Sequence, residues 1–150
     1  MSKLLEKARS YEAKKIAATD KESKPLFHIS APAGWINDPN GFSVYNGKIH
    51  LFYQYYPYLR EWGPMHWGHS TTSDMIKWEQ LPCALAPDEE YDKKGCFSGS
   101  AIEADGKHVL VYTGVTRIKL PDGSEQERQN QCIAFGDGLN YVKHENNPVV

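Results

Sequence analysis

The chain has 150 residues, a formal net charge of -2 and 12% aromatic residues, the composition of an ordinary folded domain. Near-neutral charge with no Lys/Arg stripe argues against nucleic acid as the main partner. No apolar run is long enough to span a bilayer, so no membrane partner is expected. Three cysteines, Cys83, Cys96 and Cys132, are too scattered for a disulfide framework or a zinc spacing. The charged N-terminus lacks the apolar core of a signal peptide, which together with unpaired thiols predicts a cytoplasmic protein.

In chain order, residues 3–18 are expected to form a helix. Leu4, Leu5, Ala8 and Tyr11 fall at helical spacing with Ile16 near the same face, and Pro25 ends the run. Residues 1–24 thus form an N-terminal helical extension. From residue 25 the pattern changes to strands. "FSVYNGKIHLFYQYYP" holds two apolar runs joined by Asn46-Gly47, a two-residue hairpin turn. "MHWGHSTTS" and "IKWEQLPCAL" give two more strands, and the loop "APDEEYDKKG" follows. "CFSGSAIEA", "KHVLVYTGV" and "QNQCIAFG" repeat the theme, with Asp105-Gly106 as another turn and "YVKHENNPVV" approaching a fourth strand. Two groups of about four antiparallel strands suggest two blades of a β-propeller, with a β-sandwich as the other all-β solution.

The stretch "GWINDPNGF", Gly34 to Phe42, concentrates the chemistry. Asp38-Pro39-Asn40-Gly41 has the residue order of a tight turn, and a turn is its simplest reading. A turn needs neither Trp35 nor Asn37. A carboxylate beside an aromatic wall and amide groups is suited to holding a sugar, and carboxylates are the usual nucleophiles of glycoside cleavage.

"GWINDPNGF", with "HLFYQYYP", "WGPMHWGHSTTSDMIKWEQLP" and "FSGSA" in the same order, resembles glycoside hydrolase family 32, the invertases, sucrose-6-phosphate hydrolases and fructan hydrolases. The resemblance covers about Phe27 onward. It implies a five-bladed β-propeller catalytic domain, of which residues 25–150 are the N-terminal part and about the first two blades. It implies retaining hydrolysis of terminal β-D-fructofuranosides, sucrose or sucrose 6-phosphate among them, with no cofactor and a small sugar as partner. Asp38 matches the nucleophile, kept ionised by hydrogen bonds from its turn. Trp35, Asn37, Gln54, Trp62, Phe97 and Ser98 match residues that line the sugar site. Phe97 also reads as a core aromatic, and Ser98 as a strand-end hydroxyl bonded to backbone.

The family's other two carboxylates belong to Arg-Asp-Pro and Glu-Cys motifs. Neither motif occurs in these 150 residues, so the chain reads as the N-terminal part of a longer enzyme. A non-catalytic fructoside-binding module is the alternative. His66 and His69, three apart on a strand, point to opposite faces and are not expected to share a metal. Asp74, Asp88, Glu89, Glu90 and Asp92 read as solvated loop charges, the last four placed to mark a pocket rim.

Overall fold

The computed structural model describes residues 1–20, 22 and 24–150, so Lys21 and Ser23 of the predicted extension lie outside the described residues. Helix α1 (Lys3–Ala18) starts where Ser2 accepts the Leu5 N–H on its hydroxyl, at 3.2 Å. That bond satisfies one of the donors left bare at a helix start. The predicted bounds hold, but the buried face is Leu5, Ala8 and Glu12. Leu4 and Ile16 remain more than two-fifths exposed.

Among the described residues eight strands follow in two four-stranded antiparallel sheets. The first holds β1 (Trp35–Tyr45), β2 (Lys48–Tyr56), β3 (His66–Thr72) and β4 (Glu79–Leu85) in sequential order. The second holds β5 (Gly95–Ala104), β6 (Lys107–Lys119), β7 (Glu125–Gly136) and β8 (Tyr141–Lys143). Both predicted hairpin turns form. Asn46 and Gly47 have φ of 49° and 72°, and Asp105 and Gly106 have 50° and 71°, the paired positive values that match the twist of a hairpin. β6 and β7 run further than expected. Their ladder continues to Lys119 opposite Glu125, beyond the last β5 pairing at Val115, and forms a two-stranded ribbon.

The Asp38–Gly41 turn does not form. Residues 35–45 are one strand, broken by two one-residue bulges. Ile36 pairs with Tyr55 and Pro39 with Tyr53, so Asn37 and Asp38 together face Gln54. Asn40 pairs with Phe52 and Ser43 with His50, so Gly41 and Phe42 form the second bulge. Turn-forming residues here bend a strand whose partner β2 continues unbroken. Gly41 carries a φ of 52°, and a Cβ there would lie 2.7 Å from the Phe52 ring.

Period-two alternation lets β2 serve two cores. Phe52 enters the core between the sheets with Trp67, Leu85, Leu110, Tyr112, Cys132 and Tyr141. Tyr53 and Tyr55 point the other way, to Leu5 and Ala8 of α1. The helix also covers the free edge of β4. Glu12 accepts the Cys83 N–H at 3.0 Å, and the Arg9 Nε donates to the Cys83 carbonyl at 2.8 Å. An edge strand capped this way offers no bare groups at that point to another chain. Burial pushes the Glu12 carboxyl up to about 7, against the lowering effect of the Cys83 N–H.

Two loop charges are not solvated. Asp92 is fully buried, accepts the Tyr112 hydroxyl at 2.9 Å and pairs with Lys143 at 2.5 Å. Asp88 also pairs with Lys143 and accepts from Ser2. The loop between the sheets is thus an ion-paired tie to β8, where its composition suggested a rim. Glu89 and Glu90 are exposed. Exposed Asp74 accepts the Ile76 and Lys77 N–H groups and shapes its own turn.

Candidate active site

β1 and β5 are the neighbouring strands of the two sheets, and each is bulged near its start. In β5, Phe97 pairs with Thr113 and Gly99 with Tyr112, leaving Ser98 as the extra residue. The bulges turn Asp38 and Ser98 out to solvent. Asn37 is half-buried, and the Trp35 Nε1 donates to its Oδ1 at 2.7 Å. That bond fixes the amide and leaves its NH2 available as a donor. No described group hydrogen-bonds the Asp38 carboxylate, so the turn bonds expected to hold it are replaced by an open bulge.

Gln54 and Trp67 are directly opposed across β2 and β3. The Gln54 Nε2 donates to the Cys96 carbonyl and the Trp67 Nε1 to the Phe97 carbonyl, each at 3.0 Å. Two donors on one cross-strand pair therefore grip two successive carbonyls of the neighbouring sheet, just ahead of Ser98. Half-buried Phe97 meets the Trp62 ring edge-on at a centroid distance of 6.0 Å, and Trp62 stays half exposed. These contacts gather Asn37, Asp38, Gln54, Trp62, Phe97 and Ser98 along one rim of the seam between the sheets, with Trp35 held against Asn37. Trp67 escaped the sequence reading. Its clue was the pairing with Gln54, which becomes visible only once the register of β2 and β3 is known.

Deeper in the same seam lies a histidine cluster. The His50 Nδ1 and His69 Nε2 are 2.9 Å apart. The His108 Nε2 meets the Ser43 hydroxyl at 2.9 Å and its Nδ1 the Tyr141 hydroxyl at 2.8 Å. Burial holds all three imidazoles below their usual range, His108 at about 4 and His69 well below. His66 instead bonds the Pro64 carbonyl at 2.9 Å, and burial lowers it to about 4. His66 and His69 thus turn to different partners.

The rim presents one open carboxylate, amide donors and an aromatic wall, a set suited to binding a sugar ring and attacking it. Glu103, the other carboxylate on β1 and β5, sits at the far end of β5 opposite His108. Among the described residues no helix is long and apolar enough to cross a membrane.

Residues 28–150 match the glycosyl hydrolases family 32 N-terminal domain. The chain is 48% identical over 120 residues to a sucrose-6-phosphate hydrolase of Escherichia coli, covering 79% of this chain and 25% of that protein. It is 40% identical over 151 residues to a levanase of Bacillus subtilis, covering 98% of this chain and 22% of that one. A solved Bombyx mori GH32 beta-fructofuranosidase superposes with a TM-score of 0.84 at 46% identity, over 97% of this chain and 30% of that one. The chain spans about a quarter of the length of the curated relatives it matches. Matched over residues 28–150 in sequence and over 97% of its length in space, the chain belongs to glycosyl hydrolase family 32.

Proposed function

We propose that Asp38 is the nucleophile of a retaining β-fructofuranosidase that hydrolyses sucrose or sucrose 6-phosphate. The observation that carries this reading is the β1 bulge: it aims an unencumbered carboxylate out of the strand, opposite Gln54 and beside Asn37. Ionised Asp38 attacks the fructosyl C2. A glutamate from outside these 150 residues protonates the departing glucosyl oxygen, then activates the water that releases fructose. A retaining pair of this kind sits about 5–5.5 Å apart, and no described carboxylate on β1 or β5 stands in that relation to Asp38. The sugar binds with Asn37 and Gln54 as hydrogen-bonding amides, Ser98 as a hydroxyl, and Trp35, Trp62 and Phe97 as its walls. The two sheets are the first two blades of a five-bladed propeller, with residues 1–24 as an N-terminal extension of the catalytic domain that begins at 25. The protein works in the cytoplasm without a cofactor. A sucrose-bound structure of a Bombyx mori relative and the names sucrose-6-phosphate hydrolase and levanase among the relatives support the fructosyl end of the substrate.

The test is Asp38→Asn in the enzyme that joins this chain to the remaining family carboxylates. Release of reducing sugar from sucrose and sucrose 6-phosphate is expected to fall by about 10⁴-fold or more, with the melting temperature unchanged. Activity within about tenfold of the parent, about 1.4 kcal/mol in barrier, refutes the assignment. A variant that is inactive but binds a fructoside as before leaves Asp38 with a chemical role.

A further inference from the structure

We infer that Asn40 is a positioning residue for Asp38, its side-chain NH2 donating to the carboxylate when sugar covers the rim. The inference rests on the reading of Asp38 as nucleophile. Asn40 is 3% exposed, and neither its Oδ1 nor its Nδ2 has a hydrogen-bond partner among the described residues. A buried amide with both ends bare is costly and rare. The other bare buried atoms among the described residues are single ones on Glu12, Tyr55, Tyr58 and His69, and of these residues only Asn40 leaves a whole amide unused.

Its place in the ladder says what the amide faces. Asn40 pairs with Phe52, while Asn37 and Asp38 together oppose Gln54. Phe52 and Gln54 are two apart on β2 and so point to one face. That face looks to the second sheet: Phe52 packs in the core between the sheets, and Gln54 reaches the Cys96 carbonyl. Asn40 is therefore set into the same seam as the Asp38 bulge, two residues further along. Gly41 follows with a φ of 52° and no room for a Cβ beside Phe52, which fixes the backbone on which Asn40 stands.

The chemistry needs such a donor. A nucleophilic carboxylate must be ionised and held in one rotamer, and N–H donors accomplish both. No described group now bonds Asp38, and the adjoining buried amide has two unused N–H groups. Once a sugar excludes water from the rim, a donor on that side is worth more than it is in solvent.

The experiment compares Asn40→Ala, Asn40→Asp and Asp38→Asn in the active enzyme. Removing a bare buried amide relieves a desolvation cost, so Asn40→Ala is expected to keep or raise the melting temperature. Its kcat should fall by about tenfold or more while KM changes less than about threefold, the pattern of a contact made in the transition state. Asn40→Asp keeps the volume but loses the donor. It should lose kcat similarly, and the acid limb of its kcat profile, which reports the sugar-bound enzyme, should move to higher pH. If both Asn40 variants keep kcat within about threefold while Asp38→Asn is inactive, the inference falls and the nucleophile assignment stands. An active Asp38→Asn brings down both. Activity that declines only with the folded fraction, at an unmoved acid limb, makes Asn40 structural and also overturns the inference. Should Asn40→Ala not fold, the near-isosteric Asn40→Asp decides by the same limb.

Discussion

Asp38 and Asp92 are two carboxylates in opposite circumstances. Asp38 stands on the bulge of β1, exposed and without a hydrogen bond. Asp92 lies in the loop between the sheets, fully buried, and holds the Lys143 ammonium, the Tyr112 hydroxyl and the Glu89 N–H. Their local sequences suggest the reverse: Asp-Pro-Asn-Gly reads as a turn-former, and "APDEEYDKKG" as solvated charge. A carboxylate that ties a fold together spends its lone pairs on that task. Asp38 has its lone pairs free, on a backbone bent to present them.

The contrast is broken most sharply by Lys143→Met. The change strands Asp92 and half-buried Asp88 without their shared cation, and removing one partner of a buried pair costs about 3–5 kcal/mol. Asp38→Asn touches no bond and should leave stability within about 0.5 kcal/mol. Chemical denaturation of both variants reads the two values. Similar losses would mean that Asp38 is also structural, or that the Lys143 pair is loose.

The fold was legible where the signal is local. Asn46-Gly47 and Asp105-Gly106 named their turns because few residues tolerate the required backbone angles. The apolar run "HLFYQYY" beyond the Asn46-Gly47 turn named β2. What stayed hidden depends on partners distant in sequence. Glu12 looks like a solvent-side helix residue until Cys83, 71 positions away, donates to it. Asp92 looks like loop charge until β8 brings Lys143, 51 positions away. The bulges of β1 were masked because turn chemistry and bulge chemistry draw on the same residues. The candidate site was legible through its motifs, whereas the role of Gln54 as a tie to β5 was not.

A second measurement concerns pH and separates the two buried regions by sign. Buried imidazoles held below their ordinary 6.5 stay neutral while the unfolded chain takes up protons. Stability contributed this way is complete above pH 6.5 and declines as pH falls, until about pH 4, where native His108 also protonates. Each such group adds a slope of about 1.4 kcal/mol per pH unit. Lys48 and Arg9 oppose protonation there, while Glu79 and Asp137 line the cleft at His50. Glu12 works the other way. Raised from 4.5 to about 7, its carboxyl costs stability as pH climbs between those values and adds no further loss above them. His108→Gln is therefore expected to flatten the rise of stability between pH 4.5 and 6.5, and Glu12→Gln to steepen it. Urea midpoints across that range decide the matter, and slopes changing in the same direction would contradict it.

The smallest effects lie within the rim and divide its residues by what else they do. Gln54 is 3% exposed and bonds the Cys96 carbonyl, so Gln54→Ala should cost about 0.5–1.5 kcal/mol of stability as well as activity. Trp62 is 53% exposed and touches the site through the edge of Phe97. Trp62→Ala should leave stability within about 0.5 kcal/mol yet lower kcat/KM by roughly 2- to 12-fold, the equivalent of about 0.5–1.5 kcal/mol lost from the sugar contact. Thermal melts beside sucrose kinetics separate the two. A Trp62→Ala protein that melts early at unchanged kcat/KM would place the indole in the fold rather than against the sugar. A Gln54→Ala protein with normal stability would mean that the Cys96 contact is dispensable. The pair Gln54 and Trp67 sharpens the point, since both donate to adjoining carbonyls of β5. If the grip is shared, a Trp67→Phe change, which removes only the donor and part of the ring, should add less to the cost of Gln54→Ala than it costs alone.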